Sequence, residues 1–338
     1  MATMKAIGVK DDKGPLENLF IDEIPRPKID HAKALVKVRA FGLNRMDLMQ
    51  REGKYPLPPQ APKTMGVEFS GTIEELAGES EKGFKEGDAV FGLAYGGAYA
   101  EYISVSTHML VHKPEELSWE QCAAIPEVWI TALQAMYLIG EFSEGKSILW
   151  HAGASNVSIA GIQLSKHNGA SAVYATARSD DKTDFCVREL GATAAYNTKS
   201  VDWADEVLKA TNGKGVDIII DFIGPSELAK NLRAAAKDAK IVSLACLGGA
   251  NLLPEHEQPN FLSFFAKRIR FEGSGLRSRD EAYQGKLRDQ LVDHALPKFK
   301  DGSFKPHIEK VFPWKDIKEA HGQMERNETK GKLVCTIP

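Results

Sequence analysis

The alternation of apolar and polar positions changes rhythm once along this chain. Up to about residue 122 it consists of short alternating segments broken by Gly and Pro, clearest over 34–40, 66–73 and 98–105. A period of two predicts half-buried strands, and many short ones predict an antiparallel, barrel-like domain. From Pro126 the chain instead repeats strand, turn and helix. The apolar runs 148–150, 172–175, 216–221, 241–244 and 269–271 are separated by helical patterns, as a parallel sheet covered on both faces requires. Strand-like alternation returns over 308–312 and 332–337, around a helical stretch at 317–324, so the tail is expected to rejoin the first domain. The expected division is 1–124 with 298–338 for one domain and 125–297 for the other.

Segment 147–166 is the most informative part of this pattern. A buried strand enters a turn of small residues, Gly153, Ala154 and Ser155, and Val157, Ala160, Gly161 and Leu164 then recur at helical spacing. First-turn amides lack intrahelical partners and carry partial positive charge, so this geometry suits a dinucleotide pyrophosphate. The match to Gly-x-Gly-x-x-Gly is poor, with Asn156 and Ser158 where later glycines belong, and an ordinary βα unit is an equal reading. Asn tolerates positive φ better than other side chains, so Asn156 is expected to hold the turn and Ser158 to permit close approach.

Composition narrows the function classes. The 338 residues suffice for two domains, and a net charge of -3 from 43 basic and 46 acidic residues leaves no footprint for nucleic acid or an anionic membrane. No apolar run reaches bilayer length, and residues 1–12 carry two lysines and two aspartates without a hydrophobic region, so a cytosolic small-molecule protein is expected. Cys122, Cys186, Cys246 and Cys335 are far apart, which argues against disulfides and a Cys-x-x-Cys metal knuckle. His108 and His112 are spaced like metal ligands, but the strand-like segment between them would not bring their rings to one face.

Several ordered blocks, spanning nearly the whole chain, resemble the medium-chain dehydrogenase/reductases in their zinc-free quinone oxidoreductase branch. They are 44–48 (Asn-Arg-Met-Asp-Leu), 66–71, 84–91 with 97–102, 126–132, 151–158 and 276–280, the last resembling most closely the zeta-crystallin-like, stress-induced quinone reductase subgroup. The resemblance implies a Rossmann-type, doubly wound parallel sheet domain and a GroES-like, mainly antiparallel β-barrel domain built from the N-terminal part and the C-terminal tail. Zinc enzymes of this family have Cys where Asn44 stands and His where Val67 stands, and their structural zinc loop is missing between Gly87 and Gly97, so no metal is expected.

An NAD-specific fold places an acidic residue at the end of its second strand. Here 173–177 leads into Arg178, Ser179 and Lys182, which suit the extra phosphate of NADPH, unless Arg178 and Lys182 merely pair with Asp180 and Asp181. The family's adenosine-phosphate Tyr or His aligns with Thr198. By resemblance Thr131 contacts the nicotinamide and Asn44 its ribose, while Lys332 approaches the cofactor or is a surface charge. The strand ends carrying Gly224, Leu244, Ala245, Cys246, Leu247, Ser274, Gly275, Leu276 and Arg277 complete the expected cofactor set. Tyr55 matches a cleft tyrosine and is the candidate hydrogen-bond donor to the acceptor, with a turn aromatic on Pro56 and Pro58 as the other reading. Trp129, Phe222 and Leu276 form either an apolar wall for a planar substrate or simple core. Asp47 and Glu68 receive a structural role and no proton transfer.

These expectations point to an NADPH-dependent quinone oxidoreductase. Reduction of activated C=C bonds in enals, enones or enoyl thioesters, and non-catalytic NADPH binding with a structural or sensing role, are the alternatives. A homodimer or homotetramer is implied, with 241–247 and 269–271 as the expected interface.

Overall fold

Two units make up the chain, 1–130 with 277–338 and 131–276. The computed structural model describes residues 2–30, 32–78, 80, 82–250 and 258–338. Its strands are β1 (Thr3–Val9), β2 (Leu19–Pro25), β3 (Lys33–Gly42), β4 (Glu68–Leu76), β5 (Ala89–Leu93), β6 (Tyr102–Ser106), β7 (Leu110–His112), β8 (Ser147–Trp150), β9 (Ala172–Ala177), β10 (Ala194–Asn197), β11 (Val216–Asp221), β12 (Ala235–Ser243), β13 (Arg270–Gly273), β14 (Ile308–Pro313) and β15 (Lys332–Thr336). The joints fall at 130/131 and 276/277, against expected joints at 124/125 and 297/298. Helix Glu281–Gln290 explains the larger difference: Arg288 Nε donates to Leu110 O at 2.6 Å, which ties it to β7.

In the first unit, β14-β15-β3-β4-β5-β7 form a sheet in which β6 also pairs with β3. The pairings are antiparallel except β14 with β15, so the tail enters the sheet alongside β3. Alternation along β3 and β4 places Phe41 and Phe69 in the core, with Phe91 from β5, all fully buried. Helix Arg45–Arg51 follows β3 and is opened by a capping box in which Asn44 and Asp47 exchange side-chain and backbone bonds.

The second unit is a parallel sheet of order β10-β9-β8-β11-β12-β13. The chain runs outward from β8 to β10, then returns to β11 and runs the other way, so strand order reverses between β8 and β11. In such sheets ligands bind outside the carboxyl ends of the strands near that reversal. Leu149, Ile219 and Ile241 pack with Trp203, Val207 and Leu232 from the covering helices. Helix Asn156–His167 lies close on β8 because Gly161 has no side chain, since a Cβ there would run into the Trp150 ring. The buried Trp150 Nε1 is satisfied by Ser165 Oγ at 3.0 Å.

Candidate active site

All six strand ends of the second unit's sheet carry residues expected at a cofactor. Gly153, Ala154, Ser155, Asn156, Val157 and Ser158 follow β8, Arg178, Ser179 and Lys182 follow β9, and Thr198 follows β10. Gly224 follows β11, Leu244, Ala245, Cys246 and Leu247 follow β12, and Ser274, Gly275 and Leu276 follow β13. A Cβ on Gly153 would lie 2.7 Å from Cys186 Sγ and 2.8 Å from Ala175 Cβ, so only glycine fits this turn. Ser155 is the N-cap of its helix, yet its side chain makes no capping bond to the first-turn amides and donates instead to Ser158 Oγ at 3.1 Å. Asn156 does not hold the turn by a positive φ: it is the first helical residue, and the left-handed position is Ala152, at φ 48°. Ser158 Oγ donates to His151 O at 2.7 Å, which fixes the turn from within.

A network absent from the sequence reading braces these ends. His151, buried, meets Thr176 Oγ1 at 2.9 Å and Asn231 Oδ1 at 2.8 Å. Asn231 Nδ2 donates to Asp221 Oδ2 at 3.0 Å, while Asp221 Oδ1 accepts from Ile223 N and Gly224 N. The ends of β8, β9 and β11 are thereby locked together. Leu247 N and Gly248 N donate to Phe222 O and Ile223 O, each at 2.9 Å, stitching the loop after β12 to that after β11. The only advance signal was two polar residues, His151 and Asp221, ending apolar runs.

Among the described residues of this unit, the hydroxyls Thr131 Oγ1 and Ser274 Oγ are buried with no partner. Buried hydroxyls are almost always bonded, so an orphan pair points to a missing ligand. Arg178 is exposed at the end of β9. Its two aspartate neighbours are engaged otherwise, Asp180 by Asn197 Nδ2 at 2.8 Å and Asp181 by Ser179 Oγ at 2.5 Å. Ser179 thus spends its hydroxyl on a carboxylate.

The first unit gathers a second group of expected residues into a buried polar cluster. Asn44 sits at the start of helix Arg45–Arg51, where its Nδ2 donates to Glu68 Oε1 at 2.8 Å and its Oδ1 accepts from Lys332 Nζ at 2.7 Å. Lys332, from β15, also forms an ion pair with Glu68 and is only 2% exposed, which removes the surface-charge reading. The other Glu68 oxygen, Oε2, accepts from Glu127 N at 2.9 Å. Burial and the neighbouring Glu68 charge push the Glu127 carboxyl up to about 7. Asp47 is fully buried and is raised to about 6 by desolvation, against the opposing pull of the Asn44 amide, Arg277 and Lys332. Its Oδ2 accepts from Asn44 N at 2.8 Å and Tyr99 Oη at 3.1 Å, and its Oδ1 has no partner. Tyr99 Oη also meets His321 Nε2 at 3.3 Å, and burial holds His321 down at about 3, so the ring is neutral.

Arg277 belongs to this unit and is 4% exposed. Its Nε donates to Tyr95 O at 2.7 Å and its Nη1 to Gln50 Oε1 at 2.9 Å, while Nη2 is buried without a partner. The guanidinium lies 5.4 Å from the centroid of the Tyr55 ring. Tyr55 is half-buried, and its phenol is raised by burial and the Glu127 charge against the pull of Arg277. Trp129 is 2% exposed, with ring centroids 4.5 Å from Phe299 and 4.8 Å from Phe304, so it fills the core rather than forming a substrate wall. Phe222 and Leu276 are buried in the other unit.

Comparison with known proteins places this geometry. The profile of the alcohol dehydrogenase GroES-like domain matches residues 30–115, and that of zinc-binding dehydrogenases matches 157–291. The synaptic vesicle membrane protein VAT-1 homolog of Rattus norvegicus is 30% identical over 311 residues, 88% of this chain and 75% of that protein. Quinone oxidoreductase of Homo sapiens is 28% identical over 338 residues, 99% of this chain and 98% of its own. The crystal structure of an NAD-dependent alcohol dehydrogenase superimposes with a TM-score of 0.85 at 26% identity, over 99% of this chain and 100% of that one. Among the described residues no helix is long and apolar enough to cross a membrane.

Proposed function

The chain belongs to the medium-chain dehydrogenase/reductase family of oxidoreductases, and from that premise we propose that it uses NADPH, without zinc, to reduce a quinone. The ammonium of Lys332, seated between Asn44 and Glu68, is the observation that carries the metal-free reading. Zinc takes thiolate, imidazole or carboxylate donors in a tetrahedral array. This site offers a neutral amide, a valine at 67 and a carboxylate already neutralised by a cation, so the residues do not fit the metal. A quinone suits such a site, because the charge that develops on reduction spreads over its ring and oxygens without a Lewis acid. The human relative named quinone oxidoreductase supports the choice of acceptor.

The dinucleotide does fit. The glycine-only turn at 153, the uncapped helix start and the orphan hydroxyls of Thr131 and Ser274 are the features a pyrophosphate and nicotinamide would engage. NADPH is favoured over NADH by Arg178, whose neighbouring acids are bonded elsewhere. When bound, NADPH supplies a hydride from its nicotinamide ring. Arg178 and Lys182 then hold the additional phosphate, and Tyr55 donates a hydrogen bond to the acceptor oxygen.

Specificity constants with NADPH and NADH against ortho- and para-quinones and alkenals test this. A clear NADPH preference with quinone turnover is expected, and equal constants for the two nucleotides would remove the Arg178 argument. Stoichiometric zinc in the purified protein would overturn the metal-free reading. Turnover of alkenals alone would move the assignment to activated C=C bonds, and tight NADPH binding with no turnover would mark a binding protein.

A further inference from the structure

We propose that the first unit carries a second ligand site, a cavity beside Tyr95 that takes a small protonated amine with a short apolar body. The cavity holds about 260 Å³ and is lined by the starts of β3 and of helix Glu281–Gln290, by β6, and by the segments around Pro62 and Tyr95. Every residue of its wall belongs to the first unit, so the site is complete within it. Its volume lies just below the ~300 Å³ at which pockets for drug-sized ligands begin, so the occupant is smaller than those.

The wall is held in place before any ligand arrives. Arg279 O accepts from Tyr95 Oη at 2.8 Å and from Gln284 Nε2 at 3.2 Å, which ties the Tyr95 ring to the helix. A Cβ on Gly96 would lie 3.0 Å from Thr64 O and 3.1 Å from Pro62 Cδ, so the glycine lets these two segments close on each other. Pro62, Ala94, Val105 and Met109 give the cavity apolar faces, the last three buried. Such a lining holds a hydrocarbon body and leaves a few polar groups to orient it.

Charge decides the class of ligand. Lys33 and Glu281 are the charged residues of the wall. The Lys33 ammonium is already paired with Asp30 Oδ1 at 2.9 Å. The Glu281 carboxylate has no hydrogen bond and no ion pair among the described residues. Glu281 opens helix Glu281–Gln290, but the cap is Asp280, whose Oδ1 accepts from Tyr283 N at 2.8 Å, so the helix start does not occupy Glu281. Its charge reaches the Tyr95 phenol, which burial first, and then Glu281 and Asp280, raise to about 12. A cation therefore meets an unopposed carboxylate, whereas an anion meets a lysine already neutralised. The Tyr95 ring offers such a cation a further attractive face.

The cavity touches the candidate active site through one residue. Tyr95 O accepts from Arg277 Nε at 2.7 Å, so an occupant pressing on the Tyr95 ring is felt at the guanidinium that lies 5.4 Å from the Tyr55 ring. That consequence rests on the reductase reading above; the binding itself does not. Sequence reading missed this site because its wall draws single residues from Lys33 to Gln284, with no motif among them.

Phenethylamine is the probe, with phenylacetate and 2-phenylethanol as anionic and neutral molecules of similar shape. Calorimetric titration of the whole protein should give a dissociation constant below about 1 mM for the amine, with the other two at least about tenfold weaker. Glu281→Gln should weaken the amine about tenfold, and Ser104→Leu, which fills the cavity and keeps the carboxylate, should weaken it as well. Both variants should melt near the wild-type temperature. No binding of the amine, equal binding of phenylacetate, or unchanged amine affinity in both variants would overturn the site. In turnover assays a saturating amine should shift the quinone KM severalfold in the wild type, and the same concentration should not shift it in Glu281→Gln. An unchanged KM beside measured binding would overturn the link to Arg277 alone. A wild type without turnover on any acceptor would overturn the reductase reading, while the titration would still decide the site.

Discussion

Arg178 and Asp47 carry charge arguments of opposite kinds. Arg178 is exposed and its nearest acids are occupied, so its charge is free for an anion. Arg178→Ala should weaken NADPH binding by about tenfold, one charge-assisted contact, and leave NADH binding unchanged; calorimetric titration with both nucleotides checks this. Asp47 is buried, and its carboxyl is raised from 3.8 to about 6 by desolvation. Because the folded value exceeds the unfolded one, Asp47 contributes stability that is complete below about pH 4 and is lost as pH rises through about 6. Asp47→Asn should therefore gain on the wild type between pH 4 and 7, by on the order of 3 kcal/mol at most, in urea unfolding. A pH-independent difference between the two proteins would contradict it. His321 works in the other direction: held at about 3, below its unfolded value, it contributes stability present above about 6.5 and lost as pH falls. Tyr99 joins the two groups, so one hydrogen-bonded chain carries both slopes.

The strand–turn–helix element from β8 depends on close approach. Gly161→Ala drives a methyl group into the Trp150 ring and should destabilise by about 1–3 kcal/mol, read as a lower melting temperature. This element was largely legible, because a buried apolar run, small turn residues and helical periodicity occur in order. The detail of its turn was not. The left-handed residue is Ala152 rather than Asn156, since where a helix starts depends on cap geometry that residue preference does not determine. Strand β10, Ala194–Asn197, escaped the hydrophobic pattern because it is four residues long and only partly buried at the sheet edge. Lys332 was legible as a candidate through its place before the last strand, but not its partners. Asn44 and Glu68 lie hundreds of residues away, and only the pairing of β15 with β3 and of β3 with β4 brings the three together.

For the whole molecule, the six-stranded sheet ends in β13, whose residues are all exposed. Phe271 on that strand, Leu247 near the neighbouring strand end, and Phe261, Leu262 and Phe265 on the preceding segment expose large apolar side chains, the last at 80%. Among the described residues no strand pairs with the outer edge of β13, and we propose that a second copy of the chain pairs there. Phe271→Lys together with Phe265→Asp should shift the light-scattering mass from oligomer to monomer; a wild type that is already monomeric would refute the proposal. The seat of Lys332 also bears on what small changes can achieve in this scaffold. Asn44→Cys alone would place a sulfur beside the Lys332 ammonium, which Glu68 would still hold. Adding a histidine at Val67 would leave the same cation in place. On the proposed metal-free reading, a route from this chain to a zinc enzyme has to change both Asn44 and Val67 while the Lys332 ammonium still sits against Glu68, so selection for Lewis-acid chemistry has no single step to act on.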